Sequence, residues 1–385
     1  MEKTILIGNG VNIQFSDDKS EYTNSQIIKR TFKNLKKNAD KYYKIFNGTV
    51  NASDLIDCLT ILIKFYNTYV NKGLNYKNIV NTNDEFISFF NMIELYKDQI
   101  LKPEDMSMEY YFLLADLYNN YYNNKNPNSD KININSIFEG FRYIFVDAIY
   151  NDEAIEDIYK NMYKFANELN TFDNIFTINY DNNLDKIANK QVYHLHGNFN
   201  TIQDRFNPKT VLGYINSHSN KSVEYIKKYS HIFSNAVMGF SGKIKVGYLN
   251  IYNESSHALK MYIDGLKDPN DYIFHKKYNE LKKSDKEIDK AALLVIDTKL
   301  KHPELTYTEY PIDEFKNIFG SLTILGMSPN NDSHIIKMIN DNDNISRVVY
   351  YYLTNEERNY MTKVINKERH LICKRVDKYW KSIGC

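Results

Sequence analysis

FTINYDNN, residues 176–183, is followed closely by VYHLHGNF, residues 192–199. Each opens as an apolar run of strand length and then breaks into polar groups, the first at Asn179 and Asp181, the second at His196 and Gly197. A helix starting around Asn182 fits between the two runs, with Asn179 or Asp181 as its cap. Strand, short helix and strand in such close succession predict parallel neighbours covered on both faces, with the polar breaks at their carboxyl ends.

Working outward, the same signal recurs. Thr4 to Ile7 is a buried-strand run ending in Gly8-Asn9-Gly10, and further runs lie at Val211 to Ile215, Leu322 to Leu325 and Val348 to Leu353. These runs predict an α/β, Rossmann-like, doubly wound parallel sheet. Between the first two strands the period changes to helical, with segments near 24–38, 52–71, 83–98, 106–124 and 136–170. The expected organisation is therefore a core from 1–19 and 171–385, carrying a helical insertion over 20–170. An irregular insertion around 223–310 is expected to hold a helix at 223–235, glycine-bearing turns near 239–247 and a charged helical stretch at 276–300.

The clearest helix is read from Ser136, with Glu139 as its capping-box partner and Phe141, Ile144, Phe145 and Ala148 on one face. Tyr110, Tyr111, Tyr118, Tyr121 and Tyr122 read as helix packing rather than base stacking. The run KKSDKEIDK reads as a solvated helix face.

Lys plus Arg number 49 against 48 Asp plus Glu, a net charge of +1 that argues against a surface built wholly for nucleic acid. Three cysteines, Cys58, Cys373 and Cys385, are too few and too scattered for a disulfide framework or a zinc knuckle, and they fit a reducing cytoplasm. The opening MEKTILIGNG holds a strand-length run rather than a signal core, and no stretch has the length of a membrane span. A cytoplasmic protein is expected, with no membrane partner.

In a doubly wound sheet, ligands bind beyond the carboxyl ends of the strands. Four such ends carry polar or glycine turns: Gly8-Asn9-Gly10, Asn179 with Asp181, His196-Gly197, and Gly326-Met327-Ser328. Singly, each turn has a structural explanation as a tight turn, a helix cap or a satisfied histidine; jointly they point to one site. His194 and His196 also form an H-x-H pair on one side if the strand persists, with Asp181 as a third ligand, so a metal-dependent hydrolase is an alternative.

TINYDNNL, Thr177 to Leu184, and the following LHG, 195–197, resemble the T-Q-N-x-D and H-G motifs of sirtuins, and their separation is close to the sirtuin pattern. The leading GNG stands where that family has its Gly-Ala-Gly loop, and LGMS, 325–328, resembles its Gly-Thr-Ser strand end. The resemblance spans residues 4–15, 172–200 and 320–353. It is strongest to the sirtuin-like domains of bacterial antiphage defence proteins, some of which work beside a HerA-type ATPase while others belong to abortive-infection systems. Asn9 replaces the family alanine, no Pro-Asp-Phe-Arg follows Val11, and the four-cysteine zinc module cannot be built.

The resemblance implies an NAD hydrolase releasing nicotinamide and ADP-ribose, with NAD as substrate and no zinc, rather than a protein deacylase. It implies Asn179 on the nicotinamide ribose or the attacking water, Asp181 orienting the nicotinamide end or stabilising developing cation, and His196 as general base. Gly8, Asn9 and Gly10 would cradle the pyrophosphate, and Gly326 and Ser328 would meet the adenosine ribose or phosphate. Asn12, Thr177 and Gly197 complete the expected binding set, and Asp332 is a further candidate. The implied assembly is a homo-oligomer, with a HerA-type ATPase as a further partner and nucleic acid only as activator. A non-catalytic NAD or ADP-ribose sensor is the other expectation, since it would keep the glycine loops without needing His196.

Overall fold

The computed structural model describes residues 1–45, 51–74, 89–90, 92–125, 134–159, 162–201, 229–232, 234–236, 242–303, 309–329 and 332–384. Six strands form one sheet: β1 (Lys3–Ile7), β2 (Asn174–Thr177), β3 (Val192–His194), β4 (Gly320–Leu325), β5 (Ile345–Tyr352) and β6 (His370–Arg375). Their order is β3-β2-β1-β4-β5-β6 and every pairing is parallel. The chain builds outward from β1 on one side and then returns to its other side at β4, so the sheet reverses between β1 and β4. That reversal opens a crevice at the carboxyl ends of these two strands.

Alternation along the strands supplies both cores. Leu6, Phe176, Leu322, Ile324, Val348 and Tyr350 point to one face, against Phe315, Ile335, Ile339 and Met361. Ile5, Ile7, Ile175 and Leu325 point to the other, against Val11, Phe15, Phe165, Leu169, Tyr379 and Trp380. The doubly wound α/β arrangement read from the sequence is present.

Between β1 and β2 the described chain is helical, with helices at Gly10–Phe15, Asn24–Lys37, Ala39–Ile45, Ala52–Phe65, Met108–Lys125, Ile134–Tyr150 and Tyr163–Leu169. The last of these packs on the sheet through Phe165 and Leu169. Gly10–Phe15 also packs on the sheet, through Val11 and Phe15, while the remaining helices share a separate aromatic-rich core, which also takes in Phe199, Ile232, Leu259, Ile263 and Val295 from beyond β3. Tyr111 and Phe112 stack edge-on and tilted against Phe141 and Phe145, which is the packing use of aromatics expected from the pattern.

Several local expectations are corrected. The helical reading over 136–170 is broken by Asn151, Asp152 and Glu153, all with positive φ. Ser136 lies inside the helix Ile134–Tyr150, so it is not the cap. The glycine-bearing segment near 239–247 is largely the start of a long helix, Gly242–Lys267, whose length and packing override the helix cost of Gly247. The charged stretch divides into Tyr272–Lys283 and Glu287–Lys301. The strand read at 211–215, residues 223–228 and 233 of the helix read at 223–235, residues 83–88 and 91 of that read at 83–98, and Cys385 lie outside the described residues. Among the described residues no helix is long and apolar enough to cross a membrane.

Candidate active site

The crevice between β1 and β4 deepens into a cleft of about 450 Å³, within the range of small-molecule sites. Asn9, Gly10, Asn12, Asn179, Asp181, His196, Gly326, Ser328 and Asp332 all line it. The helical region closes the opposite side with Tyr22, Ile27, Glu109, Phe112 and Ile149. Four separated sequence turns thus meet at one place because their strands are neighbours in the sheet.

The glycines have a more mechanical task than cradling phosphate. Gly8 donates its N–H to Leu325 O at 2.9 Å and Gly10 donates to Gly326 O at 2.8 Å, so neither amide is free for a pyrophosphate. A Cβ on Gly8 would stand 2.6 Å from Gly326 O, and one on Gly10 2.8 Å from Gly326 Cα. Gly326 itself has φ +71°, a backbone region that favours glycine. These residues interlock the two turns at the sheet reversal. Gly8 is not part of the cleft lining, whereas the exposed Asn9 and Ser328 are.

Thr177 and Gly197 also lie outside the lining. The Thr177 hydroxyl donates to Ile7 O at 3.0 Å and accepts the Asn179 N–H at 3.0 Å, tying β2 to β1 and aiming the turn. Gly197 has φ +79°, and a Cβ there would lie 2.3 Å from Asn235 O. Close approach of the 229–236 segment requires glycine at this point. That segment is clamped in turn by the buried Arg142, whose guanidinium donates to Ile232 O, Ser234 O and Ala236 O at 2.8, 2.5 and 3.1 Å.

Asp181 is buried and already engaged. Its Oδ2 accepts from Asn12 Nδ2 at 2.6 Å, and its Oδ1 accepts from the backbone and side-chain amides of Asn183 at 3.1 and 2.6 Å. Asn12 Oδ1 accepts the Tyr159 hydroxyl at 2.7 Å. Burial raises the Asp181 carboxyl above its ordinary range, partly offset by the amides of Asn12 and Asn183. This chain fastens the β2 turn to the first helix, and Asp181 enters the cleft wall as part of that fastening.

Asn179 differs. Its carbonyl meets His194 Nδ1 at 3.1 Å, yet its side-chain Nδ2 is buried with no hydrogen-bond partner. A carboxamide donor 6% exposed and unsatisfied in a cleft wall is what a ligand acceptor would complete.

His196 sits at the turn after β3, 2% exposed. Its Nε2 is 2.8 Å from His334 Nε2, and Lys245 Nζ stands 3.3 Å from its Nδ1. Burial, then Lys245, then His334 hold its pKa well below the ordinary histidine value, so it is neutral at physiological pH. Burial likewise pushes Asp332 up to about 6, with Lys245 opposing and Glu109 adding to the rise. Burial depresses the Lys245 ammonium, while Asp332 and Glu109 act to retain its charge.

Lys245, His334 and Glu109 are cleft-side residues that the strand-end reading does not name. Lys245 and Glu109 come from helices remote in sequence, whereas His334 follows Asp332 by two positions and was within reach of the strand-end rule.

The expected H-x-H metal set does not assemble. The strand ends at His194, whose Nε2 pairs with Asp185 at 2.9 Å, and alternation is lost before His196. Among the described residues His196, Asp332 and His334 do bring ligand atoms within 4.8 Å of one another. Their outer contacts oppose an ion: His196 Nδ1 faces the Lys245 ammonium, and His334 Nδ1 has no acceptor. A metal-bound histidine ordinarily donates its second N–H to an oxygen.

Against protein-family models, curated proteins and solved structures, the chain matches none. The sheet order defines a Rossmann-like α/β fold with a cleft at the reversal point.

Proposed function

We propose that this protein hydrolyses NAD to nicotinamide and ADP-ribose. The observation that carries the reading is the unpartnered, buried Asn179 Nδ2 in the same cleft as the neutral His196, at the sheet reversal where dinucleotides bind in such folds. The resemblance of the Thr177–Leu184 and 195–197 motifs to sirtuin-like NAD hydrolases supports it.

In the reaction the bond from the ribose anomeric carbon to the pyridinium nitrogen breaks, its electron pair leaving with neutral nicotinamide. Positive charge builds on the ribose as a water oxygen bonds to the anomeric carbon. Asn179 Nδ2 holds a ribose hydroxyl or the water. His196, neutral as a base must be, takes the water proton after substrate displaces the longer of its two contacts, that to Lys245. Asp181, buried in the cleft wall, is the group proposed to oppose this charge with its carboxylate.

The second reading, a non-catalytic NAD or ADP-ribose sensor, draws on the fact that both ring nitrogens of His196 already have neighbours. A role in antiphage defence, a homo-oligomeric state, a HerA-type ATPase partner and a cytoplasmic location are proposals that rest on the resemblance. Incubation with NAD, with and without nucleic acid and such an ATPase, followed by chromatography, decides between enzyme and sensor. The enzyme yields nicotinamide and ADP-ribose, and Asn179→Ala or His196→Ala removes about 10²–10⁴ of the rate. Binding of NAD without product under all conditions supports the sensor.

A further inference from the structure

We infer that Lys245, His196 and His334 form a directed hydrogen-bond chain in which His334 is the positioning residue for His196, fixing its proton on Nε2 and leaving Nδ1 as the basic atom. An ammonium has three donors and no acceptor, so Lys245 Nζ, 3.3 Å from His196 Nδ1, makes that nitrogen the acceptor. The single ring proton of neutral His196 then lies on Nε2, which faces His334 Nε2 at 2.8 Å. His334 Nε2 accepts, and its own proton is on Nδ1. The reverse assignment would set an N–H of His196 against the N–H donors of Lys245.

The chain is built into fixed elements. His196 is at the turn after β3, Lys245 comes from the helix Gly242–Lys267, and His334 lies in the first turn of the helix Ser333–Asp341. All three side chains are buried, at 2, 7 and 3% exposure. The His334 ring is coupled to His196, while its Nδ1 has no partner. When His196 takes a proton from water at Nδ1, the resulting imidazolium keeps its Nε2–H on His334, which orients the ring and stabilises its charge. Base and orienter are thus two imidazoles, in the arrangement that a base and carboxylate fill in hydrolytic triads.

The catalytic consequence rests on the proposed NAD hydrolysis; the tautomer does not. Nitrogen NMR of the full chain with ¹⁵N-labelled histidine tests the tautomer without any turnover. The expected spectrum has His196 Nδ1 unprotonated and Nε2 protonated in the wild-type protein, with the preference weakened in Lys245→Met. A wild-type His196 protonated on Nδ1 overturns the chain. For turnover, His334→Ala is expected to lower kcat roughly tenfold to a hundredfold with little change in KM, less than loss of the base itself. His334→Gln recovers part of it, because its amide oxygen accepts from Nε2. Wild-type kcat in His334→Ala also overturns the chain, whereas absence of NAD cleavage in every form, with the expected nitrogen spectrum, overturns only the NAD reading.

Discussion

Gly10 donates its backbone N–H to Gly326 O at 2.8 Å, joining the turns that follow β1 and β4 across the point where the sheet reverses. The contact is possible because neither residue has a Cβ. Both residues line the cleft, and the close approach explains why glycine recurs at both strand ends while the Gly8 and Gly10 amides are already engaged.

Gly10→Ala therefore tests packing rather than phosphate binding. Its methyl would meet Gly326 Cα at 2.8 Å and Gly326 O at 2.9 Å, both backbone atoms that cannot swing aside. Thermal denaturation should show a loss of about 1–3 kcal/mol, typical of forcing extra volume into a packed site. Unchanged stability would mean the two turns separate freely.

Asn12 and Asp181 give a charge test. Asn12→Ala removes one donor from a buried carboxylate, which should cost about 1–3 kcal/mol. Asn12→Asp places a second carboxylate where Nδ2 now stands 2.6 Å from Asp181 Oδ2. That variant should lose more, about 3–5 kcal/mol near neutral pH, and recover part of the difference in mild acid as the pair shares a proton. Urea unfolding at two pH values measures this; equal losses for both variants would contradict the assigned pairing.

The helical region carries an acid-sensitive network. Asp147 accepts from Lys41 Nζ at 2.5 Å, from the Tyr42 hydroxyl at 2.6 Å and from His231 Nε2 at 2.8 Å. Burial raises its pKa, but the His231 hydrogen bond and the Lys41 charge outweigh it and bring it down to about 2. Burial also lowers His231, consistent with a neutral imidazole donating to an ionised carboxylate. Both folded values lie below the unfolded ones, so both contributions are complete above about 6.5 and are lost as pH falls. The His231 share goes first, below about 6.5; the Asp147 share, about 2 kcal/mol, goes between the ordinary Asp value and about 2. Asp147→Asn should lower stability at pH 7 and flatten the acid limb of a stability-against-pH curve; an unchanged limb would show that the network carries no linkage.

The sequence exposed the parts of this molecule whose neighbours are close in the chain. Five strands were legible as apolar runs because parallel strands buried on both faces need them. β6 was missed because it is an edge strand, HLICKR, with exposed His370, Lys374 and Arg375 diluting the run. Asn179, Asp181 and His196 stood out as polar breaks at strand ends, and all three line the cleft. Lys245 was hidden in a stretch whose glycines read as turns, although a 26-residue helix takes in Gly242 and Gly247. Glu109 reaches the site only through packing of the helical region over the sheet, which no local pattern encodes.

The most direct measurement of the central claim is a crystal structure with an NAD analogue in which a carbocycle replaces the nicotinamide ribose, so that the scissile bond cannot break. The account predicts the dinucleotide lying across the interlocked turns of Gly10 and Gly326, with its nicotinamide-side ring hydroxyls within hydrogen-bond reach of Asn179 Nδ2 and close to His196. Density for the analogue elsewhere, or a cleft that stays free of it at saturating concentration, would contradict the account.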